Sequence, residues 1–316
     1  MAPTSTGRAN VDRRLAGVTV APAGHRDTLT RVIGLIVLSG AVAALGAIAG
    51  RRLAARGITA ENALKGRQVG AYLVLVAAGG ATALLYYAPK IPGLPATPVL
   101  YAEAAVWPVV QAFAALALGF LIGLEWSGRR DRRRLVTMVA GAAVLALAVG
   151  FLFYRSLPLE RSLGAPRSVD GVVMQTTSYT CAPAAIATIV RALRGDTTVT
   201  ESTVVALAGT SRSGTTALAE IRAMRRLGLA PRFARSLAPE SLAAAGRYAL
   251  LHVNEPVVTT TVRHAVALLA VDTRNRTITI GNPLYGRQVK PWSALRDYWL
   301  GEAVFVDAAG ARLTSP

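Results

Sequence analysis

The chain alternates between long apolar runs and short basic segments. Residues 1–31 are polar and show no sustained hydrophobic period, so we expect a flexible tail there. Four nearly unbroken apolar runs follow, at residues 32–50, 70–88, 104–124 and 135–154. Each approaches the roughly 20 residues that an α-helix needs to cross a hydrocarbon core about 30 Å thick. The pattern predicts an α-helical transmembrane bundle of four spans over residues 32–154.

The predicted spans carry no Asp, Glu, Lys, Arg or His near their centres. Proteins that move protons or ions usually need such residues there, so we interpret the bundle as an anchor. The spacing Gly46-x-x-x-Gly50 in the first span is typical of closely packed helices and, in a bundle rich in Ala and Gly, indicates ordinary packing rather than a dimer interface.

The basic residues of the short loops predict the orientation. The first and third loops each hold five basic residues, whereas the second loop, residues 89–103, holds only Lys90. Loops rich in Lys and Arg favour the cytoplasm, which places both termini outside. The arginines of the tail argue for the opposite orientation, but two loops outweigh one tail. We expect a multi-pass membrane protein whose C-terminal part is extracytoplasmic.

From about residue 160 to residue 316, the pattern is that of a soluble domain. The segments CAPAAIATIVRALRG and TALAEIRAMRRLGL predict helices that end at glycines. The later segments RYALLHV, HAVALLAVD, RTITIGN and EAVFVD are short, apolar and separated by turn residues, as strands are. Helices followed by a mostly antiparallel sheet predict an α+β domain.

The composition of the chain limits the kinds of molecule that it is expected to bind. The chain is 53% hydrophobic and 16% charged, with a net charge of +18. Its basic residues flank the apolar runs instead of gathering with aromatic residues, which favours a lipid bilayer over a nucleic acid as partner. The segment GTSRSGTT, residues 209–216, has Thr215 where a phosphate-binding loop has lysine, so we expect no ATP. A single cysteine excludes an internal disulfide and a cysteine-built zinc site, and we expect no cofactor.

That cysteine, Cys181, lies where a loop becomes a helix, with Pro183 in the first helical turn. The helix dipole favours a thiolate at this position, so we expect a lowered pKa and a nucleophile. The alternative is a small buried residue without a chemical role.

The candidate base is one of three histidines. His25 lies in the tail and His252 lies within an apolar strand, which is typical of a structural residue. His264 begins a strand at the end of the sheet and is the candidate base.

A hairpin between HAVALLAVD and RTITIGN would bring residues 283–285 opposite His264. Asn282 would then lie beside His264 and could orient its ring, although a turn residue before Pro283 is an equally simple interpretation. Gln175 precedes Cys181 on the same loop and could donate a hydrogen bond to an oxyanion, together with the backbone N–H of Cys181.

These segments resemble the papain-like cysteine peptidases of the double-glycine leader type. The resemblance rests on QTTSYTCAPAA, GTTALAEIRAMRRLGL, RHAVALLAVD, GNPLYG and WSALRDYWLGEAVFV, in that order, over residues 170–307. It implies that Cys181 is the nucleophile, His264 the base, Asn282 the orienting partner and Gln175 the oxyanion donor. The family usually has Asp where this chain has Asn282, and an amide stabilises an imidazolium less than a carboxylate does.

We therefore hypothesise a membrane-anchored cysteine peptidase that cleaves a peptide or protein substrate through a thioester. Two alternatives stay open. A domain of the same fold could bind peptides without cutting them, although the presence of Cys181 counts against this. A cysteine-dependent acyl transferase would pass the same thioester to an amine instead of water.

Overall fold

The computed structural model describes residues 25–58, 70–91, 93–126, 132–245 and 248–307. Most of the predicted tail, residues 1–24, lies outside the described part of the chain. The first helix begins at His25, earlier than the apolar run that predicts it, so the last residues of the predicted tail are helical.

The N-terminal half of the chain is helical. Its long helices are α1 (His25–Ala54), α2 (Gly70–Tyr87), α3 (Ala96–Trp126) and α4 (Arg132–Ser156). Within the described residues, three segments are long and apolar enough to cross a membrane: Ile36–Ala54, Ala96–Glu125 and Val139–Ser156. The second predicted span coincides with α2, a helix of 18 residues that is not among those three.

Helices α1 and α3 are in backbone contact. A Cβ atom on Gly46 would lie 2.3 Å from the carbonyl oxygen of Leu116, and one on Gly50 would lie 2.2 Å from that of Phe120. Only glycine allows so close an approach. The contacts advance along both helices in the same direction, so α1 and α3 run parallel. The Gly46-x-x-x-Gly50 motif is thus used for packing within the chain, as predicted.

The C-terminal half is an α+β domain with an antiparallel sheet, as predicted. Its helices are α5 (Cys181–Arg194), α6 (Glu201–Ala208), α7 (Ala217–Arg226), α8 (Pro239–Ala245) and α9 (Trp292–Tyr298). Its strands are β1 (Arg167–Val169), β2 (Val172–Met174), β3 (Ala230–Ala234), β4 (Tyr248–Val257), β5 (Thr260–Asp272), β6 (Thr277–Asn282), β7 (Gly286–Pro291) and β8 (Trp299–Asp307). Strands β1 and β2 pair with each other, and the other six form a sheet in the order β3-β8-β4-β5-β6-β7.

Both faces of the sheet centre are covered, which explains why its strands read as continuous apolar runs. On one face, Leu250 of β4 packs in a cluster with Ile186 and Ile189 of α5. On the other, the neighbouring Leu251 packs in a cluster with Leu242 of α8 and Leu295 of α9. Successive side chains of a strand point to opposite faces, so adjacent leucines serve both layers. Helix α5 is therefore held rigidly against the sheet.

Candidate active site

Cys181 is the first residue of α5. The preceding residue, Thr180, is buried and has non-helical backbone angles. Its carbonyl oxygen accepts the first hydrogen bond of the helix, from the N–H of Ala184 at 3.0 Å. The Thr180 hydroxyl donates to the carbonyl of Thr177 at 3.1 Å, which closes the turn before the helix. The helix ends at Arg194, and the next residue, Gly195, has the left-handed conformation that glycine adopts readily. The sequence thus places the thiol at a fixed helix start.

His264 lies on β5, just beyond the point where β5 stops pairing with β6. The β5–β6 ladder reaches only the pair Ala267–Gly281 at this end, while β5 still pairs with β4 at Val253–His264. The gap leaves room for a side chain from the end of β6. Asn282 fills it, and its Oδ1 lies 3.0 Å from the Nε2 atom of His264, with both residues buried. The structure therefore brings these two residues together, as the hairpin register predicts.

The orientation of the Asn282 amide is fixed from two sides. Its Nδ2 donates to Oε2 of Glu255 at 2.9 Å, and its Oδ1 accepts from the backbone N–H of Leu284 at 3.0 Å. The amide oxygen consequently faces the imidazole, so the hydrogen of the neutral ring is on Nε2. The lone pair is then on Nδ1, which can accept a proton.

Glu255 and Tyr298 extend this chain of hydrogen bonds, and the sequence analysis missed both. The Tyr298 hydroxyl donates to the same Glu255 Oε2 atom at 2.6 Å, and both residues are buried. Burial and the nearby carboxylate raise the pKa of Tyr298, which keeps its hydroxyl protonated as a donor. One signal was available, because Glu255 is the one acidic residue of β4, and a buried charge needs partners.

Cys181 and His264 line the same cleft, which has a volume of about 480 Å³. Ala265 and Tyr179 also line it. A cleft of this size falls in the usual range for ligand sites.

The expectation of a lowered thiol pKa is not met. Burial raises the pKa of Cys181 above its ordinary value, and the carboxylate of Glu220 adds to the rise, although the backbone N–H of Ala265 acts in the opposite direction. Burial also lowers the pKa of His264, opposed by Asn282 and Glu255. Both shifts favour the uncharged forms, so at neutral pH the resting pair is a thiol and a neutral imidazole.

Gln175 is placed differently from the other predicted residues. Its side-chain Nε2 donates to the carbonyl of Thr177 at 2.9 Å, and its backbone N–H donates to the carbonyl of Pro283 at 3.1 Å. It is not among the residues that line the cleft. The second contact ties the loop before Cys181 to the end of β6, while one amide hydrogen of Gln175 is left for another acceptor.

His252 lies within β4, is held by two carboxylates and also lines the cleft. Its Nε2 lies 3.0 Å from a carboxylate oxygen of Glu220, and its Nδ1 lies 3.1 Å from one of Glu302. Burial lowers the pKa of His252, but these two carboxylates outweigh burial and raise it to about 10. The ring is therefore protonated at neutral pH and cannot serve as a base.

In the comparison with known proteins, a family model matches the C-terminal domain. Residues 170–310 match the Peptidase C39 family. These are cysteine peptidases, in agreement with the resemblance seen in the sequence. No curated protein matches the chain.

Solved structures of peptidase domains are similar to the C-terminal part. The peptidase domain of Streptococcus ComA, a bifunctional ABC transporter of a quorum-sensing pathway, is 20% identical, with a TM-score of 0.37, and the match covers 43% of this chain and 96% of that one. A double-glycine motif protease from an AMS/PCAT transporter, solved with a leader peptide, is 23% identical, with a TM-score of 0.37, and the match covers 46% and 97% of the two chains.

Proposed function

We propose that this protein is a membrane-anchored cysteine peptidase that hydrolyses a peptide bond of a peptide or protein substrate. The observation that carries the proposal is the buried His264–Asn282 pair, 3.0 Å apart, beside the cleft that Cys181 lines. The match of residues 170–310 to a peptidase family supports it. Cys181 is the nucleophile, His264 the base and Asn282 the orienting residue.

The reaction starts from the neutral pair. Nδ1 of His264 takes the thiol proton as Sγ of Cys181 attacks the substrate carbonyl carbon, and the carbonyl oxygen becomes an oxyanion. The backbone N–H of Cys181 stabilises that oxyanion, and the remaining amide hydrogen of Gln175 joins it once that side chain turns toward the cleft. When the carbonyl reforms, the C–N bond breaks, the amine leaves with the proton from His264, and a thioester is left on Cys181. Water then attacks the thioester with His264 again as base, which releases the acid and restores the thiol.

The charge of Glu255 compensates for the amide at Asn282. Protonated His264 carries a positive charge in a buried site, which a neutral amide alone stabilises weakly. Glu255 lies directly behind Asn282, and its carboxylate raises the pKa of His264 against the effect of burial. The site therefore keeps a negative charge near the imidazolium. An orienting Asp would place that charge in contact with the ring, whereas here it lies on Glu255, behind Asn282.

We also propose that the helical half, residues 32–154, crosses the membrane four times. Helices α1 and α3 run parallel in direct contact, so the chain between them has to return across the bilayer. Helix α2 is the described helix in that segment, and its 18 residues span about 27 Å. With four spans, residues 160–316 form a peptidase domain on the side of the second loop, which the loop charges place outside the cytoplasm. Residues 1–31 are the tail before the first span.

Hydrolysis is tested on the purified full-length protein in detergent, with a peptide library analysed by mass spectrometry. We expect cleavage products from the wild-type protein and none from Cys181→Ala, because the thioester cannot form without the thiol. Ser241→Ala, on α8, is the control and should cleave like the wild-type protein. Equal cleavage by Cys181→Ala would contradict the proposal.

Two other results would favour a different function over peptide hydrolysis. Products that appear only when an amine is added, and that contain the amine, would identify an acyl transferase instead. Peptides that bind stoichiometrically to wild-type protein and are never cut would identify a binding domain.

A further inference from the structure

The membrane half closes one side of the cleft that holds Cys181 and His264. Leu85 and Tyr86 at the end of α2 and Pro89 just after it line the cleft, together with Glu103 and Trp107 of α3. A substrate that reaches the thiol therefore contacts the ends of these helices as well as the peptidase domain. The helices are part of the cleft, not only an anchor.

Polar contacts hold the two halves together around the cleft. The Arg235 guanidinium donates to the carbonyl of Pro89. Arg263 on β5 binds Glu302 at 2.8 Å and reaches Glu103 of α3 at 3.4 Å. On the other side, the Nε atom of Arg155, in the last turn of α4, donates to the hydroxyl of Ser213 at 3.3 Å. The domain is thus docked on the helix ends at three separate points.

The position of the cleft relative to the bilayer follows from the aromatic residues around it. Tyr86 lies at the end of α2, Trp107 near the start of the predicted span 104–124, and Tyr154 near the end of α4, and all three are exposed in the structure. Exposed Tyr and Trp near span ends are typical of the lipid headgroup layer. Tyr86 and Trp107 also line the cleft, so the cleft lies at the level of the headgroups.

We propose that the ends of α2 and α3 complete the substrate cleft and open it to the bilayer surface, so that the substrate is a peptide tethered to the same membrane. The scissile bond lies close to a membrane-embedded or lipid-linked segment. The substrate class rests on the proposed peptidase function, whereas the route of access to Cys181 does not.

The test uses the single cysteine of the full chain, reconstituted in lipid vesicles. One sample receives soluble iodoacetamide, and the other contains phosphatidylethanolamine with an iodoacetyl group on its headgroup, present in both leaflets. Both are kept at about pH 9, where a thiol ionises. The control is Val289→Cys in a Cys181→Ala background, which places an exposed thiol on the edge strand β7. Alkylation is followed by mass spectrometry.

We expect iodoacetamide to alkylate both thiols. The lipid-borne reagent should alkylate Cys181 at least about tenfold faster than the Val289→Cys thiol, because a reagent held at the bilayer surface has a high effective concentration there. Equal rates for the two thiols with the lipid-borne reagent would overturn the proposal, as would a Cys181 that only iodoacetamide reaches or that neither reagent reaches. Lipid-borne alkylation of Cys181 without any peptide hydrolysis would instead leave the access route standing and reject the peptidase function.

Discussion

At the scale of single residues, the Glu255 carboxylate acts through Asn282 on His264, the proposed base. Glu255 does not touch His264 itself but accepts hydrogen bonds from Asn282 and Tyr298. A buried carboxylate with two donors is a stable arrangement, since unpaired burial of its charge would be costly. In the proposed mechanism, Glu255 is therefore a positioning residue that fixes the Asn282 amide and raises the pKa of His264.

We expect Glu255→Gln to reduce kcat/KM about tenfold or more, because the Asn282 amide loses a charged acceptor. The acid limb of the pH profile should also move to lower pH. His264 acts as a base only when neutral, and loss of the negative charge lowers its pKa, so the neutral form persists to lower pH. The measurement is the pH profile of kcat/KM on a cleaved library peptide.

Glu240→Gln, which removes an exposed carboxylate on α8, is the matched control and should leave the profile unchanged. Tyr298→Phe keeps the charge of Glu255 and should reduce the rate with a smaller shift of the limb. A Glu255→Gln profile that coincides with the wild-type profile would assign Glu255 a structural role only.

The sequence predicted the His264–Asn282 contact but not the residues behind it. His264 and Asn282 lie on neighbouring strands joined by a short turn, so strand register alone brings them together. Glu255 lies on β4, and Tyr298 lies on α9, far along the chain. Their meeting depends on how α9 packs on the sheet, which no local pattern encodes. The rise in the Cys181 pKa was missed for a similar reason, because burial depends on tertiary structure.

At the scale of elements, prediction succeeded where an element is buried or has a clear end. Helix α5 ends before Gly195, as its sequence predicts, and the apolar strands β4, β5, β6 and β8 lie in the sheet centre or beside it. The short strands β1 and β2 and the helices α6, α8 and α9 were not predicted. Strands β3 and β7 of the six-stranded sheet were also missed. Both are edge strands with partly exposed sequences, so the hydrophobic signal that marks a covered strand is weak in them.

The contact between α1 and α3 gives the prediction at this scale. We expect Gly46→Leu to destabilise the protein by about 1–3 kcal/mol or more, since a side chain cannot fit where a Cβ would lie 2.3 Å from the Leu116 carbonyl oxygen. Gly40→Leu on the same helix is the control, because a Cβ there would have no atom within 4 Å, and it should be neutral within about 0.5 kcal/mol. Thermal unfolding in detergent, followed by tryptophan fluorescence, compares the two. Equal melting temperatures would contradict the close contact between α1 and α3 at Gly46.

At the scale of the whole molecule, the loop charges and the docking of the domain agree on one arrangement. The parallel course of α1 and α3 places the ends of α2 and α4 on the same side, and residues from both ends contact the peptidase domain. That side is the side of the second loop, which holds one basic residue, Lys90. The proposed four-span topology puts the first loop, with five basic residues in its sequence, on the opposite side. The positive-inside tendency therefore supports the proposal that the peptidase domain lies outside the cytoplasm.

A membrane-impermeant thiol reagent that fluoresces on reaction tests this sidedness in intact cells. We expect it to label the Val289→Cys protein in a Cys181→Ala background before lysis, because that thiol is exposed on the peptidase domain whatever the state of the cleft. Ala55→Cys in the same background lies beyond the end of α1 and should react only after lysis. The opposite pattern would place the domain in the cytoplasm and would make the arginines of the tail, not those of the loops, the determinants of orientation. Cys181 of the wild-type protein should be labelled on the same side of the membrane as the Val289→Cys thiol. It should react more slowly, because burial keeps its thiol protonated.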